Sequence, residues 1–111
     1  MRIRIVTFDL GVPREDYDRL ATEIAPAFLS WPGLIAKWWL GDTASGTYGG
    51  VYLFASQADA YRSRDTGLFR NMFTNPALRH VTVREYDLLD APTAITASTV
   101  PSPGHALTSP V

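Results

Sequence analysis

Lys37 is the only lysine in the chain; the other nine basic residues are arginine. It stands in "LIAKWWLG", where the three residues on either side are all apolar. A lysine buried in such a segment costs several kcal/mol unless it is paired, and it responds by giving up its proton more readily. Chemically, it could hold a phenolate or an enolate, or act as a base. The plain structural alternative is an ion pair with Glu85, Asp87 or Asp42, the stem packing on Trp39. All three tryptophans lie between Trp31 and Trp39. Trp38 and Trp39 are adjacent, so a strand turns their rings to opposite faces. Core packing is the default for both, and a flat wall for a polycyclic aromatic ligand is the functional alternative.

His80 is the only histidine outside the C-terminal segment. Imidazole is the side chain best matched to general-base work at neutral pH; at a strand end it can equally be a solvated edge residue. Tyr52, Tyr86, Arg84 and Asn71 carry donors for a developing oxyanion, and Phe73 adds apolar wall. The expected site is therefore His80 as base and Lys37 with Arg84 as anion stabilisers. Trp38, Trp39, Tyr52, Tyr86, Asn71 and Phe73 would surround the substrate.

Several chemistries are excluded by composition. There is no cysteine, which removes thiol nucleophiles, zinc ribbons and disulfide scaffolds. With His105 in a proline-rich tail, two histidines do not make a two-His-one-carboxylate metal site; haem ligation needs only one and stays open. Gly49-Gly50 is no phosphate loop, because no GxxxxGK pattern follows, and suggests instead a bulge or close approach within a strand. No metal and no organic cofactor are expected. The formal net charge is -1, and Arg62, Arg64 and Arg70 form no groove-length stripe, so nucleic acid is not an expected partner. No apolar run reaches 18 residues, and Arg2, Arg4 and Asp9 interrupt the first ten. A cytoplasmic domain with no membrane span and no signal peptide is the expectation.

These side chains must be positioned by a small set of elements. "MRIRIVTFDL" alternates as a strand, with Val6, Phe8 and Leu10 on one face and Ile3, Ile5 and Thr7 on the other. Pro13 suits the first turn of a helix whose stripe is Tyr17, Leu20, Ala21, Ile24 and Phe28, loosened at its end by Pro26. "LIAKWWLG" and "YGGVYLFA" are strands joined by the short polar loop from Asp42 to Thr47, hence an antiparallel hairpin. Ser56 and Asp59 read as a capping box opening a second helix that breaks at Thr66-Gly67. "LRHVTVREYDLL" is the last strand, with His80, Thr82, Arg84 and Tyr86 on one face. The order is β-α-β-β-α-β, an α+β ferredoxin-like arrangement with a four-stranded antiparallel sheet over residues 1–90. Residues 91–111 hold half of the eight prolines among Ala, Ser and Thr; they read as an extended or disordered tail that lies across a partner subunit.

The middle strands are apolar on both faces. Leu34, Ala36, Trp38 and Leu40 oppose Ile35 and Trp39, while Tyr52 and Phe54 oppose Val51, Leu53 and Ala55. Two helices cover one side only. A second copy, related by two-fold symmetry, is the simplest cover for the other. The segments "WPGLIAKWWLGDTASGTYGGVYLFAS", "DAYRSR" and "YDLLDAPTAI" resemble the YdhR-like monooxygenases over about residues 3 to 97. The set Pro32-Gly33, Lys37, Trp39 and Gly49-Gly50-x-Tyr52-Leu53-Phe54 carries this resemblance. It implies the dimeric α/β barrel shared with the antibiotic-biosynthesis monooxygenases, a homodimer, and a pocket between sheet and helices. The Asn-x-x-x-Trp pair common in those relatives is absent here. The functional expectation is cofactor-independent oxygenation of an electron-rich, multi-ring phenolic or polyketide-like molecule. A cofactor-free cyclase or isomerase and a non-catalytic dimeric ligand-binding protein are the alternatives.

Overall fold

The computed structural model describes residues 1–97. Strand β1 (Arg2–Leu10) is followed by helix α1 (Arg14–Ile24) and a 3-10 helix, Ala25–Ser30. The hairpin of β2 (Leu34–Asp42) and β3 (Thr47–Phe54) leads into the short helices α2 (Gln57–Ser63) and α3 (Gly67–Asn71), then β4 (Leu78–Asp87) and α4 (Asp90–Thr96). The strands form one antiparallel sheet in the order β2-β3-β1-β4. This is the ferredoxin-like α+β arrangement, with one sheet face under the helices.

Local chemistry accounts for the boundaries. Acidic Glu15 and Asp16 occupy the first turn of α1, where the helix dipole favours them. Pro26 sits in the first turn of the 3-10 helix and ends the α-helical ladder just before it. The tighter coil that results delivers Phe28 and Trp31 to the core. Ser56 caps α2 by accepting from the Asp59 amide at 3.1 Å, and Thr66 caps α3 by accepting from the Phe69 amide at 3.2 Å. The break at Thr66-Gly67 thus separates two capped helices. Residues 91–96, expected to be extended, instead continue α4, with Asp90 and Pro92 in its first turn, where no intrahelical amide donor is needed. The remainder of the expected tail, residues 98–111, lies outside the described residues. Among the described residues no helix is long and apolar enough to cross a membrane.

Two bulges modify the simple alternation. Leu34 pairs with Phe54 and Ala36 with Leu53, so Ile35 is the extra residue in β2. Leu34, expected on the face of Ala36 and Trp38, therefore turns inward and packs against the core. In β4 the register shifts opposite Phe8, and His80 takes a left-handed conformation (φ 56°) there. Beyond the bulges the faces separate cleanly. Arg4, Val6, Phe8, Tyr48, Tyr52 and Phe54 are buried beneath the helices. The opposite face carries Ile3, Ile5, Trp38, Val51, Arg84 and Tyr86 in register.

Parity also puts a charge in the core. Arg4 follows Val6 and Phe8 in phase and is 0% exposed. Its Nε donates to Glu85 Oε2 at 2.7 Å and its Nη2 to the Ala60 carbonyl at 2.7 Å. The guanidinium lies 4.9 Å from the Phe54 ring centre and 4.8 Å from that of Phe69. Glu85 also accepts from Arg64 at 2.9 Å. Burial pushes the Glu85 carboxyl up, but the hydrogen bonds from Arg4 and Arg64 outweigh it and hold the group below its ordinary range. Removing Glu85 strands the buried Arg4 charge, whereas removing Arg4 leaves Glu85 its bond from Arg64. Glu85→Ala is expected to cost about 3 kcal/mol in urea denaturation, and Arg4→Met, which removes the buried charge itself, less than half as much. Equal losses would place the cost in packing rather than in charge.

Candidate functional site

A cavity of about 220 Å³ lies between the sheet and the helical layer. Its sheet side is built from Lys37 and Trp39 of β2, Gly49 and Tyr52 of β3, and Phe8 of β1. Its helical side comes from Tyr17, Ala21 and Ile24 of α1, Phe28 of the 3-10 helix, and Leu68 and Asn71 of α3. The lining is overwhelmingly apolar.

Gly50 explains how Lys37 fits. Successive inward positions on β3 are Tyr48, Gly50 and Tyr52, so the sheet has a gap between two tyrosines. A Cβ on Gly50 would stand 3.1 Å from Lys37 Cε. The lysine stem occupies the space that a larger residue would fill. Its Nζ then lies 3.5 Å from the ring centres of Phe28 and Trp39 and 4.5 Å from that of Tyr52.

None of the carboxylates considered as partners for this amine reaches it. Glu85 is held by Arg4 and Arg64, Asp87 by Arg2 at 3.0 Å, and Asp42 by Ser45 at 2.8 Å in the hairpin loop. Among the described residues Lys37 forms no ion pair. Burial without a counter-charge lowers its pKa to about 7. The ring faces act in the other direction, favouring the cation by electrostatic attraction to their quadrupoles. The amine is therefore poised between its two protonation states near neutrality. Burial raises the Tyr17 phenol to about 12 and pushes Tyr52 higher still, so both remain donors. No hydrogen-bond partner for either hydroxyl, or for the Asn71 carboxamide, is present among the described residues.

The residues expected to act together separate into two groups. Lys37, Trp39, Tyr52 and Asn71 line the cavity. His80, Arg84, Tyr86, Trp38 and Phe73 do not. His80 has an 82% exposed side chain and pairs through Nδ1 with Asp9 at 2.9 Å. Arg84 and Tyr86 lie opposite Ile5 and Ile3 on the outer sheet face, and Trp38 lies opposite Val51 there. Phe73 is half exposed and packs edge-on against Phe69 at 5.3 Å. Tyr17 and Phe28 belong to the cavity but read in the sequence as helix-stripe core. Their apolar spacing was visible; that they stop short of filling the space was not.

The family model described as "Putative mono-oxygenase ydhR" matches residues 3–99. The chain belongs to this family. Solved structures similar to this YdhR-family chain share its fold at low identity. The NE2512 protein of unknown function from Nitrosomonas europaea is 20% identical with a TM-score of 0.68, over 91% of this chain and 94% of that one. A putative antibiotic biosynthesis monooxygenase from Deinococcus radiodurans is 13% identical with a TM-score of 0.67, covering 82% and 95%. SnoaB, a cofactor-independent oxygenase from Streptomyces nogalater, is 13% identical with a TM-score of 0.65, covering 81% and 94%. No curated protein matches the chain.

The Lys37 amine makes a specific prediction for stability. Unfolding returns it from about 7 to its ordinary 10.5, so between these values the unfolded chain binds more protons than the folded one. Stability should rise with pH across that window, by at most about 1.4 kcal/mol per pH unit from this group. In Lys37→Met the rise is lost, which urea denaturation at pH 6, 8 and 10 would read. Parallel profiles for the two proteins would refute the assignment.

Proposed function

We propose that this YdhR-family protein is a cofactor-independent monooxygenase acting on an electron-rich phenol. The observation that carries the reading is an amine with no ion pair among the described residues, titrating near neutrality, at the wall of an apolar, aromatic-lined cavity. Lys37 in its neutral form is the base, the role the sequence reading gave to His80. It takes the phenolic proton, and the ammonium that forms stays beside the phenolate and stabilises it. The Tyr52 hydroxyl and the Asn71 carboxamide are the remaining donors to the oxyanion.

The electrons come from the substrate. An electron-rich phenolate transfers charge to dioxygen, a bond forms between a ring carbon and oxygen, and the resulting hydroperoxide loses water. The sum is phenol plus dioxygen giving quinone plus water. The protein has to exclude water and hold the anion. Cavity size narrows the substrate. A space of about 220 Å³ exceeds the roughly 150 Å³ that accepts benzene and falls below the ~300 Å³ of drug-sized sites. One substituted ring fits beside Lys37, and a neighbouring cleft that shares Phe28, Lys37 and Trp39 leaves space for more.

We further propose that the outer sheet face is covered by a second copy of the chain. Ile3, Ile5, Trp38 and Val51 form an apolar patch on the sheet face away from the helical layer of the described residues. Sedimentation velocity at micromolar concentration should give a dimer for the native protein and a monomer for Trp38→Glu. A native monomer would overturn this reading.

The activity is tested with an oxygen electrode, using a substituted hydroquinone and a dihydroxynaphthalene in metal-free buffer. Uptake should rise with pH through about 7, following Lys37, and fall at least about a hundredfold in Lys37→Met, the scale expected for a general base. His80→Ala should retain it. Loss of activity in His80→Ala alone would return the base to that histidine. Turnover without oxygen uptake would identify a cyclase or isomerase in place of the oxygenase.

A further inference from the structure

An amine that is desolvated and open to a cavity is, in its unprotonated form, a nucleophile as well as a base. We infer that Lys37 captures the carbonyl group of small aryl aldehydes and ketones as an imine within the aromatic cavity. The inference uses the same side chain as the proposed oxygenase activity but requires neither oxygen nor a phenol. It stands on the geometry of the cage and on the position of the amine in the chain.

Four observations support it. Lys37 Nζ lies over the rings of Phe28 and Trp39 at 3.5 Å with no carboxylate beside it, so no neighbour's charge fixes it as the ammonium. The cavity is apolar and of a size to take a single aryl ring, which would bring a carbonyl substituent to the amine by burial of the ring. The Tyr52 hydroxyl and the Asn71 carboxamide line the same space without protein partners, available to the carbonyl oxygen. Gly50 leaves the space in which the stem is seated, with Cε 3.1 Å from where a Cβ would stand, so the amine is held at the cavity wall by the shape of the strand beneath it.

The steps balance without an oxidant. The nitrogen lone pair forms a bond to the carbonyl carbon while the carbonyl π pair moves to oxygen. That oxygen is protonated, and nitrogen loses a proton, giving the carbinolamine. Departure of the hydroxyl group as water, with loss of the second nitrogen proton, gives the imine. Amine plus aldehyde becomes imine plus one water, and the apolar walls favour that loss. A ketone bearing an α C–H could go on to the enamine by loss of that proton.

Reductive trapping tests the inference under anaerobic conditions. The native protein is incubated with benzaldehyde and cyanoborohydride, and the product is read by intact mass and peptide mapping. Because Lys37 is the only lysine, the N-terminal amine is the only competitor, and mapping separates the two. The expected result is one benzyl group on Lys37. Its rate should rise with pH through about 7 and exceed that of N-acetyl-lysine amide at pH 7.5 by at least a hundredfold, since the neutral fraction of an amine titrating near 7 is about a thousandfold that of an ordinary lysine there. Phenol, which fits the cavity but has no carbonyl, should protect Lys37, and 8 M urea should abolish the advantage. Modification confined to the N-terminus, or a Lys37 rate equal to that of the model amine, overturns the inference. An absence of oxygen uptake with phenols would refute the oxygenase proposal and leave this one standing.

Discussion

An amine buried against aromatic rings, with no carboxylate beside it among the described residues, sets the terms for everything around it. Such a group survives only if its neighbours offer ring faces, if its stem has room, and if competing charges are occupied elsewhere. Each condition is met by a distinct piece of the chain. Pro26 ends α1 and tightens the following coil, which brings Phe28 over Nζ. Gly50 leaves the gap through which the stem passes. The nearby acids are all taken by other partners.

That last condition ties the cavity to the opposite half of the sheet. Arg4 and Glu85 form a buried pair below Phe54 and Phe69, and Arg64 adds a second hold on the carboxylate. The same aromatic layer thus contacts two cations in different circumstances. Arg4 is neutralised and effectively permanently charged; Lys37 is unpaired and titrates. Tyr52 touches both, its ring centre 5.7 Å from the Arg4 guanidinium carbon and 4.5 Å from Lys37 Nζ. The contrast shows why arginine serves as structure here and lysine as chemistry. A guanidinium in the cavity would keep its proton, and a lysine at position 4 would lose the forked geometry that joins Glu85 to the Ala60 carbonyl.

The fold was legible in the sequence because it rests on short-range signals: alternation in the first and last strands, two apolar runs joined by a short polar loop, a helix stripe from Tyr17 to Ile24, and punctuation at Pro13, Pro26 and Thr66-Gly67. The oddity of Lys37 and the opposed faces of Trp38 and Trp39 were equally legible, being consequences of period two. The remainder of the site was not. His80 shares its nominal parity with Thr82, Arg84 and Tyr86, and nothing local says that it sits on a bulge and points to Asp9. Tyr17 and Phe28 are indistinguishable from core residues until the unfilled volume beside them is seen. Arg4 lies in phase with Val6 and Phe8, yet in the sequence it stood only as a charge interrupting the first strand. Its partner Glu85 is far away in sequence, and only the β1–β4 register joins them. Register, bulges and residual volume are tertiary quantities, which a single chain's periodicity does not encode.

The two bulges carry a consequence of their own. Strand order makes β2 and β4 the outermost strands, and each is interrupted, β2 at Ile35 and β4 at His80. A regular outer strand presents an unbroken row of amides and carbonyls on which another sheet can grow; a kinked one does not. Both borders of this sheet are therefore poor templates for strand addition. Each break lies near one end of its strand, so the regular edge open to strand addition is cut back to residues 36–42 of β2 and 82–87 of β4.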